Sequence, residues 1–377
     1  MLVVFAPANP LSDHLAPSHR PEQVSTAVGQ PLVWQRQGRR QQLGSSLVTT
    51  AYLEKVLEAR STLQGPSPEA WYDRLEREEP ELESALEAAC RDDPALGLRA
   101  TPLLQRFWFA RGRLERGRKW VERLLSAAGE SPTVDRAQGL FAAAALAFRQ
   151  GDTDATRHYA TEALALAKEF AAPELQIDAG LTLARVGLRE GNVAAVRRFA
   201  GEAQELALKI GDEGRELSAI HHLAEGARIG GDYVMARRLY EESLARNRAR
   251  GNRLVEAVEL ANLSVVENKE GNLQQAEANL NQAIQISRQI NNSYILAASL
   301  VALSGVAVSS GRARQAARLL GRADAIYSTT GLVIDPADKP EYDTALAGAR
   351  SGLGQEAFAA AYAEGAGLSI EELTEAR

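Results

Sequence analysis

The sequence predicts an all-α solenoid of helical hairpins, because short turns recur along it at a fixed spacing. A glycine followed by Asp, Asn or Arg returns with a period of about 40 residues, and a second series of turns lies about 20 residues further along. Two interleaved series predict units of two helices each, and such units stack side by side in repeat proteins. The turns of the first series are at Gly151, Gly191, Gly231, Gly271 and Gly311, and those of the second are at Gly211, Gly251, Asn291 and Gly331.

The chemistry of each turn explains the pattern. A glycine just past a helix end adopts the left-handed backbone conformation at little cost. The residue after it can accept a hydrogen bond from a free backbone N–H group of the next helix, and we expect this of Asp152, Asn192, Asp232 and Asn272. About three turn residues per half-unit leave two helices of about 17 residues, each about 25 Å long. Arg312 follows the last glycine, so we expect the last hairpin to be less well capped.

The composition excludes several classes of function. The net charge of −6 argues against a general nucleic-acid-binding surface. Cys90 is the only cysteine, which excludes an internal disulfide and suits the cytoplasm. No apolar run approaches the length of about 18 residues that indicates a membrane-spanning helix, so we expect no membrane span. The sequence contains no HExxH, CxxC or GxSxG motif, so we expect no metal, no cofactor and no enzymatic activity.

The sequence divides into four predicted regions. Residues 1–43 are rich in proline and predict an irregular extension, with a nucleic-acid-binding or partner-binding arm as the alternative reading of its arginines. Residues 44–100 predict a helical unit with breaks at prolines. Residues 101–330 contain the repeat array, and residues 331–377 predict a cap with helices around 341–351 and 354–363. An end cap is needed because stacked repeats bury their core only between neighbours.

The residues around one turn resemble the tetratricopeptide repeat (TPR). The matching positions are Gly231, Asp232, Tyr233, Ala236, Tyr240 and Ser243. The family period is about 34 residues, so the longer period of this sequence implies extended helices. The resemblance implies a right-handed α-α superhelix of about six hairpins.

The longer period also resembles the C-terminal sensor half of bacterial STAND-type regulatory ATPases and transcriptional regulators. Further stretches that match are Trp71–Glu78, Phe107–Gly112, Gly117–Leu125, Ala317–Gly321, Gly354–Phe358 and Ala361–Gly365. The sequence has no GxxxxGK[ST] phosphate loop, and residues 1–46 are too short for a nucleotide domain. We therefore expect the sensor half without its ATPase.

The TPR resemblance implies that the first helix of each hairpin lines a concave groove. Transferred by position, the groove residues are Phe141, Phe148, Arg149, Arg185, Arg189, His221, Glu225, Arg228, Asn268 and Lys269. We expect this face to bind a peptide or protein segment, with an acidic one favoured by the arginines. The alternatives are ordinary solvated arginines, a sensor for a small effector, or a self-assembling oligomer scaffold.

Overall fold

The computed structural model describes residues 51–63, 68–330, 334 and 338–375, and all regular secondary structure in these ranges is helical. The chain forms two compact units that divide between Asp152 and Thr153. The predicted extension at residues 1–43 lies outside the described residues, as does the turn at Gly331. The four predicted regions remain a prediction.

The first unit is an assembly of helices with breaks at Pro80, Pro94, Gly112 and Gly129, whereas Pro102 lies inside a helix. Pro80 and Pro94 stand in the first turn of their helices, where a missing N–H costs little. Asp93 caps the second of these by accepting a hydrogen bond from the Leu96 N–H at 3.1 Å. Residues 51–58 are helical, and the later helices are α1 (Arg60–Leu63), α2 (Glu69–Arg77), α3 (Glu79–Asp92), α4 (Pro94–Ala110), α5 (Leu114–Ala128) and α6 (Val134–Arg149).

The second unit contains the regular part of the array and the cap. From α7 to α15 every helix spans 17 or 18 residues, which confirms the predicted helix length. The helices are α7 (Thr153–Glu169), α8 (Pro173–Arg189), α9 (Val193–Ile210), α10 (Glu213–Ile229), α11 (Tyr233–Ala249), α12 (Arg253–Lys269), α13 (Leu273–Gln289), α14 (Ser293–Ser309), α15 (Ala313–Thr330), α16 (Lys339–Leu353), α17 (Gln355–Gly367) and α18 (Ile370–Glu375).

The turns between these helices share one backbone geometry. Gly231 has a φ of 78°, and the Asp232 N–H donates to the Ala227 carbonyl at 2.9 Å, which is the hydrogen bond of a Schellman cap. The same bond closes the turn at Ala171, whose φ is 49°. Ala171 therefore completes the second series of turns, and the sequence pattern missed it because it is not glycine.

The side-chain caps follow the prediction only in part. Asp232 accepts from the Met235 N–H at 3.0 Å, and Asn192 accepts from the Ala195 N–H at 3.1 Å. The prediction for Asn272 is wrong, because this side chain makes no cap bond. Its amide instead donates to Glu267 at 2.8 Å.

The first helices of successive hairpins form a continuous layer in the second unit. Helix α8 packs against α10, α10 against α12, and α12 against α14, while α9, α11 and α13 each pack against the first helices on either side of them. Small residues permit this packing, since Ala184, Ala224 and Ser264 are fully buried. We call α8, α10, α12 and α14 the groove layer.

The cap consists of α16 and α17, which confirms the two helices predicted there. Both pack against α15, and α16 also packs against α14. Helices α15 and α17 cross with backbones in contact. A Cβ added at Gly365 would lie 2.0 Å from the Arg318 carbonyl oxygen, so no larger residue fits without moving a helix.

Candidate functional site

Three of the predicted groove residues lie on α6, in the first unit. Phe148 is buried and Phe141 is half-buried. The guanidinium carbon of Arg149 lies 4.2 Å from the centroid of the Phe109 ring, at cation–π distance. These residues pack within the first unit, and their place in a common groove remains a prediction.

In the second unit, Arg185 of α8 and His222 of α10 form a direct hydrogen bond. The Arg185 Nε–H donates to His222 Nε2 at 3.2 Å, and His222 Nδ1 lies 2.6 Å from the Ser218 carbonyl oxygen. Since arginine has only donors and the carbonyl only accepts, His222 is the neutral tautomer with its proton on Nδ1. Burial, with the neighbouring Arg185 charge, lowers the pKa of His222 to about 3. Arg185 is therefore not an ordinary solvated arginine, and Arg189 is half-buried one turn further along.

The adjacent His221 faces the opposite neighbour and is held between two carboxylates. Its Nδ1 lies 3.0 Å from Glu259 Oε2 of α12, and its Nε2 lies 3.4 Å from Glu225 Oε2 of α10. Burial alone would lower the pKa of His221, but Glu259 and Glu225 outweigh it and raise the pKa. Both ring nitrogens thus face carboxylates that favour the imidazolium form, and the ring links two helices of the groove layer.

The two carboxylates are buried with it. Glu259 is fully buried and also accepts a hydrogen bond from the Ser243 hydroxyl at 2.5 Å. Burial raises the pKa of Glu225, but the charge of His221 and of other neighbours lowers it to about 2. Glu225 is therefore ionised at neutral pH, and its charge is compensated within the protein.

Arg228 ends the same face of α10 and bonds to the cap. Its Nη1 donates to Glu341 Oε1 of α16 at 2.6 Å. The Arg228 side chain is 5% exposed and the Glu341 side chain 30%. Burial lowers the pKa of Arg228, but Tyr240 and Glu341 among other groups raise it overall. Arg228 is therefore a buried cation rather than a solvated one.

The last predicted residues lie at the end of α12. Asn268 is half-buried, and its Oδ1 has no hydrogen-bond partner within the described ranges. Lys269 is exposed. The structure thus places Arg185, His221, Glu225, Arg228 and Asn268 on neighbouring helices of one layer, although ligand contact remains a prediction.

Sequence reasoning missed Glu259, Asn262 and Glu341. Asn262 stands one repeat after His222, is buried, and has an Nδ2 without a partner among the residues described. One signal was available, because Glu259 occupies the position of Ala219 in one repeat and Ser299 in the next. A carboxylate in a column of small residues indicates a role other than packing.

Other chemistry finds little support in the described part of the chain. No group of three or more His, Cys, Asp or Glu side chains there could hold a metal ion. None of its helices has both the length and the apolar character that crossing a bilayer requires. Cys90 is a free, half-buried thiol, and burial raises its pKa, which makes it a poor nucleophile at neutral pH.

A comparison with protein-family models matches one family. The model described as the MalT-like TPR region matches residues 140–342. A comparison with curated protein sequences found no match.

Several solved structures share the fold. NprR in complex with its cognate peptide NprX has a TM-score of 0.57 and 16% identity, covering 82% of this chain and 85% of its own. A Rap protein complexed with competence and sporulation factor has a TM-score of 0.52 and 12% identity, covering 85% of this chain and 99% of its own. A STAND protein with a tetratricopeptide repeat sensor, from Pyrococcus horikoshii, has a TM-score of 0.53 and 14% identity, covering 88% of this chain and 54% of its own. At these identities the similarity shows the fold alone.

Proposed function

Because the chain belongs to the family of the MalT-like TPR region, we propose that it binds a peptide or short protein segment along the groove layer. The role is recognition without catalysis, within bacterial signalling or transcriptional control. The proposal covers Arg185, His221, Glu225, Arg228 and Asn268 as contact residues.

The observation that carries the proposal is the set of incompletely bonded polar groups on this layer. Each is at least half-buried and has an atom with no hydrogen-bond partner among the described residues. Leaving such a group unpaired costs about 1–3 kcal/mol, unless a ligand or water supplies the bond. Apolar residues of similar volume would often be as stable or more stable. The atoms are Arg228 Nε, Asn262 Nδ2 and Asn268 Oδ1.

The solved structures support this reading at the level of the fold. NprR was solved with its cognate peptide NprX, and the Rap protein with competence and sporulation factor. The Pyrococcus horikoshii protein joins a tetratricopeptide repeat sensor to a STAND ATPase. A regulatory context for this chain is therefore part of the proposal.

The proposal can be tested with a synthetic hexapeptide library on immobilised protein, followed by affinity measurements on the peptides that it captures. The double variant Arg185→Gln with Asn268→Ala should weaken binding about thirtyfold, because each of the two polar contacts contributes about 1 kcal/mol. The matched control is Arg238→Gln, since Arg238 is an arginine on the second helix α11, outside the groove layer. Circular dichroism verifies that all variants fold. Equal affinity of the double variant and wild type would contradict the groove assignment.

A small-effector sensor is the second candidate, favoured by the compactness of the polar cluster. His221 lies within 3.4 Å of Glu225 and 3.0 Å of Glu259, and the three residues occupy only two helices. An extended peptide would be expected to use more repeats. Native mass spectrometry of the purified protein distinguishes the two, because a small molecule retained at unit stoichiometry favours the effector.

Self-assembly is the third candidate, favoured by large apolar side chains exposed on second helices. Val234 on α11 is 78% exposed and Leu208 on α9 is 57% exposed. Contiguous exposed apolar surface can mark an interface, and these two side chains would belong to it. Concentration-dependent mass that Val234→Ser with Leu208→Ser abolishes would favour assembly, and a monomer at all concentrations would exclude it.

A further inference from the structure

The ion pair between Arg228 and Glu341 draws its two residues from distant parts of the second unit. Another buried charge of α10 follows a different pattern, because Glu216 bonds Arg246, only 30 residues away on the adjacent helix α11. Glu341 is 113 residues from Arg228 and stands in the first turn of α16. The cap thus supplies the carboxylate that compensates a cation of the groove layer.

The bond uses one nitrogen of Arg228 and one oxygen of Glu341. Arg228 Nη1 donates to Glu341 Oε1 at 2.6 Å, but Arg228 Nε and Glu341 Oε2 have no partner among the residues described. A guanidinium can hold both oxygens of a carboxylate through two parallel hydrogen bonds, and this paired geometry is stronger. A carboxylate that is not constrained by a helix can therefore bond Arg228 better than Glu341 does.

The two residues also differ in exposure. The Arg228 side chain is 5% exposed and the Glu341 side chain 30%, although Glu341 Oε2 is itself buried. Glu225, the other carboxylate on this face, already lies beside His221. If Glu341 left without replacement, Arg228 would lose the carboxylate that it bonds. Asp338 and Glu225 also act on its charge, but the loss of the bonded partner of a buried cation is unfavourable. Exchange of one carboxylate for another avoids that penalty.

We infer that Arg228 binds a carboxylate of the ligand. In the unbound protein Glu341 occupies the position of this carboxylate, and the ligand displaces it. Displacement releases the start of α16 from α10, so that ligand binding is coupled to the cap. The inference rests on the proposed function for the location of the site. It adds the chemical group that is recognised and the conformational response.

The first test measures peptide affinity in two matched sets of fluorescent hexapeptides, one with Asp or Glu and one with Asn or Gln at the same positions. Glu341→Gln removes the competitor, so it should tighten binding of the acidic set roughly tenfold and leave the amide set unchanged. Arg228→Gln should abolish the difference between the sets. A purely structural role for Glu341 predicts weaker binding of both sets, and that result would overturn the inference.

The second test needs no peptide and measures hydrogen exchange of the α16 amides. Sodium propionate is the probe, and sodium chloride at equal ionic strength is the control. Propionate should accelerate exchange at the start of α16 several-fold in the wild type and have no effect in Arg228→Gln. In Glu341→Gln the exchange should be fast in both salts.

The two tests separate the inference from the proposed function. If α16 exchanges equally in both salts, and equally in the wild type and Glu341→Gln, the inference is wrong whether or not a peptide binds. If α16 responds to propionate but no hexapeptide binds, the inference stands and the proposal of a peptide ligand is wrong.

Discussion

Helices α10 and α14 occupy equivalent places in the groove layer, but their residues at equivalent positions have opposite chemistry. Both helices span 17 residues. Helix α10 buries His221, Glu225 and Arg228. The residues two repeats further along are apolar or glycine, and α14 contains no His, Asp, Glu, Lys or Arg at all. The three positions in α14 are Val301, Gly305 and Val308.

The comparison of α10 with α14 distinguishes the residues that the fold needs from the residues that it only tolerates. The turn geometry and the small buried residues recur in both hairpins, so the backbone does not depend on the charges of α10. Burying charges is costly even when they are paired, and an apolar set such as that of α14 is sufficient for the fold. The charged set is therefore not needed for the fold, which agrees with the proposal that it serves recognition.

The largest expected effect comes from removing one charge of the buried cluster. Glu259→Ala leaves the His221 imidazolium without its closest carboxylate and should lower the free energy of unfolding by about 3–5 kcal/mol. The matched change in α14 is Ser299→Ala, since Ser299 holds the equivalent position. Its hydroxyl has no partner within the described ranges. Loss of that hydroxyl should therefore cost less than about 1 kcal/mol.

Urea unfolding of the two variants measures this difference. A similar small loss for both would mean that the charges near α10 are as dispensable as the serine of α14, and the comparison would fail.

The next effect is a dependence of stability on pH that belongs to α10. The pKa of His222 is lowered to about 3 in the folded protein. In the unfolded chain this histidine has its usual pKa of about 6.5, so below that pH the unfolded chain binds a proton that the folded protein does not bind. The free energy of unfolding therefore decreases as the pH falls below about 6.5. Between pH 7 and pH 5 the loss should be about 2 kcal/mol. His221 has the opposite effect, because its pKa is raised in the folded protein. It therefore stabilises the fold most at a pH below the pKa that it has in the unfolded chain.

The control for this prediction is His222→Asn, which installs the residue found one repeat later at Asn262. The contribution of His221 is common to both proteins, so the difference between their unfolding curves at pH 7 and pH 5 isolates His222. Identical pH dependence in both proteins would refute the neutral, buried state assigned to this ring.

The smallest effect concerns the turns, which the fold does require. Ala171 adopts a left-handed backbone at a position where most other turns have glycine. Ala171→Gly should therefore raise the free energy of unfolding by about 1 kcal/mol, because the left-handed region costs a residue with a Cβ about 1–2 kcal/mol. The control is the reverse substitution at an equivalent turn, Gly211→Ala, which should lower the free energy of unfolding by a similar amount. Thermal unfolding measures both, and a destabilised Ala171→Gly would contradict the shared turn geometry.

The sequence was informative where the chemistry is local. The series of turns, the length of the helices and the breaks at Pro80 and Pro94 follow from residues that act on their own neighbours. The position of Arg228 on the groove layer followed from the repeat. Its partner Glu341, 113 residues away, did not, because tertiary packing alone joins them. Ala171 was missed since the surrounding helices impose a conformation that its own preference opposes.

The most direct test of the account is a hydrogen-exchange footprint of a hexapeptide captured from the library, bound to the wild-type protein. The account predicts protection of amides in the first helices α8, α10 and α12, with faster exchange at the start of α16. Protection confined to the second helices α9, α11 and α13, with α16 unchanged, would contradict recognition by the groove layer.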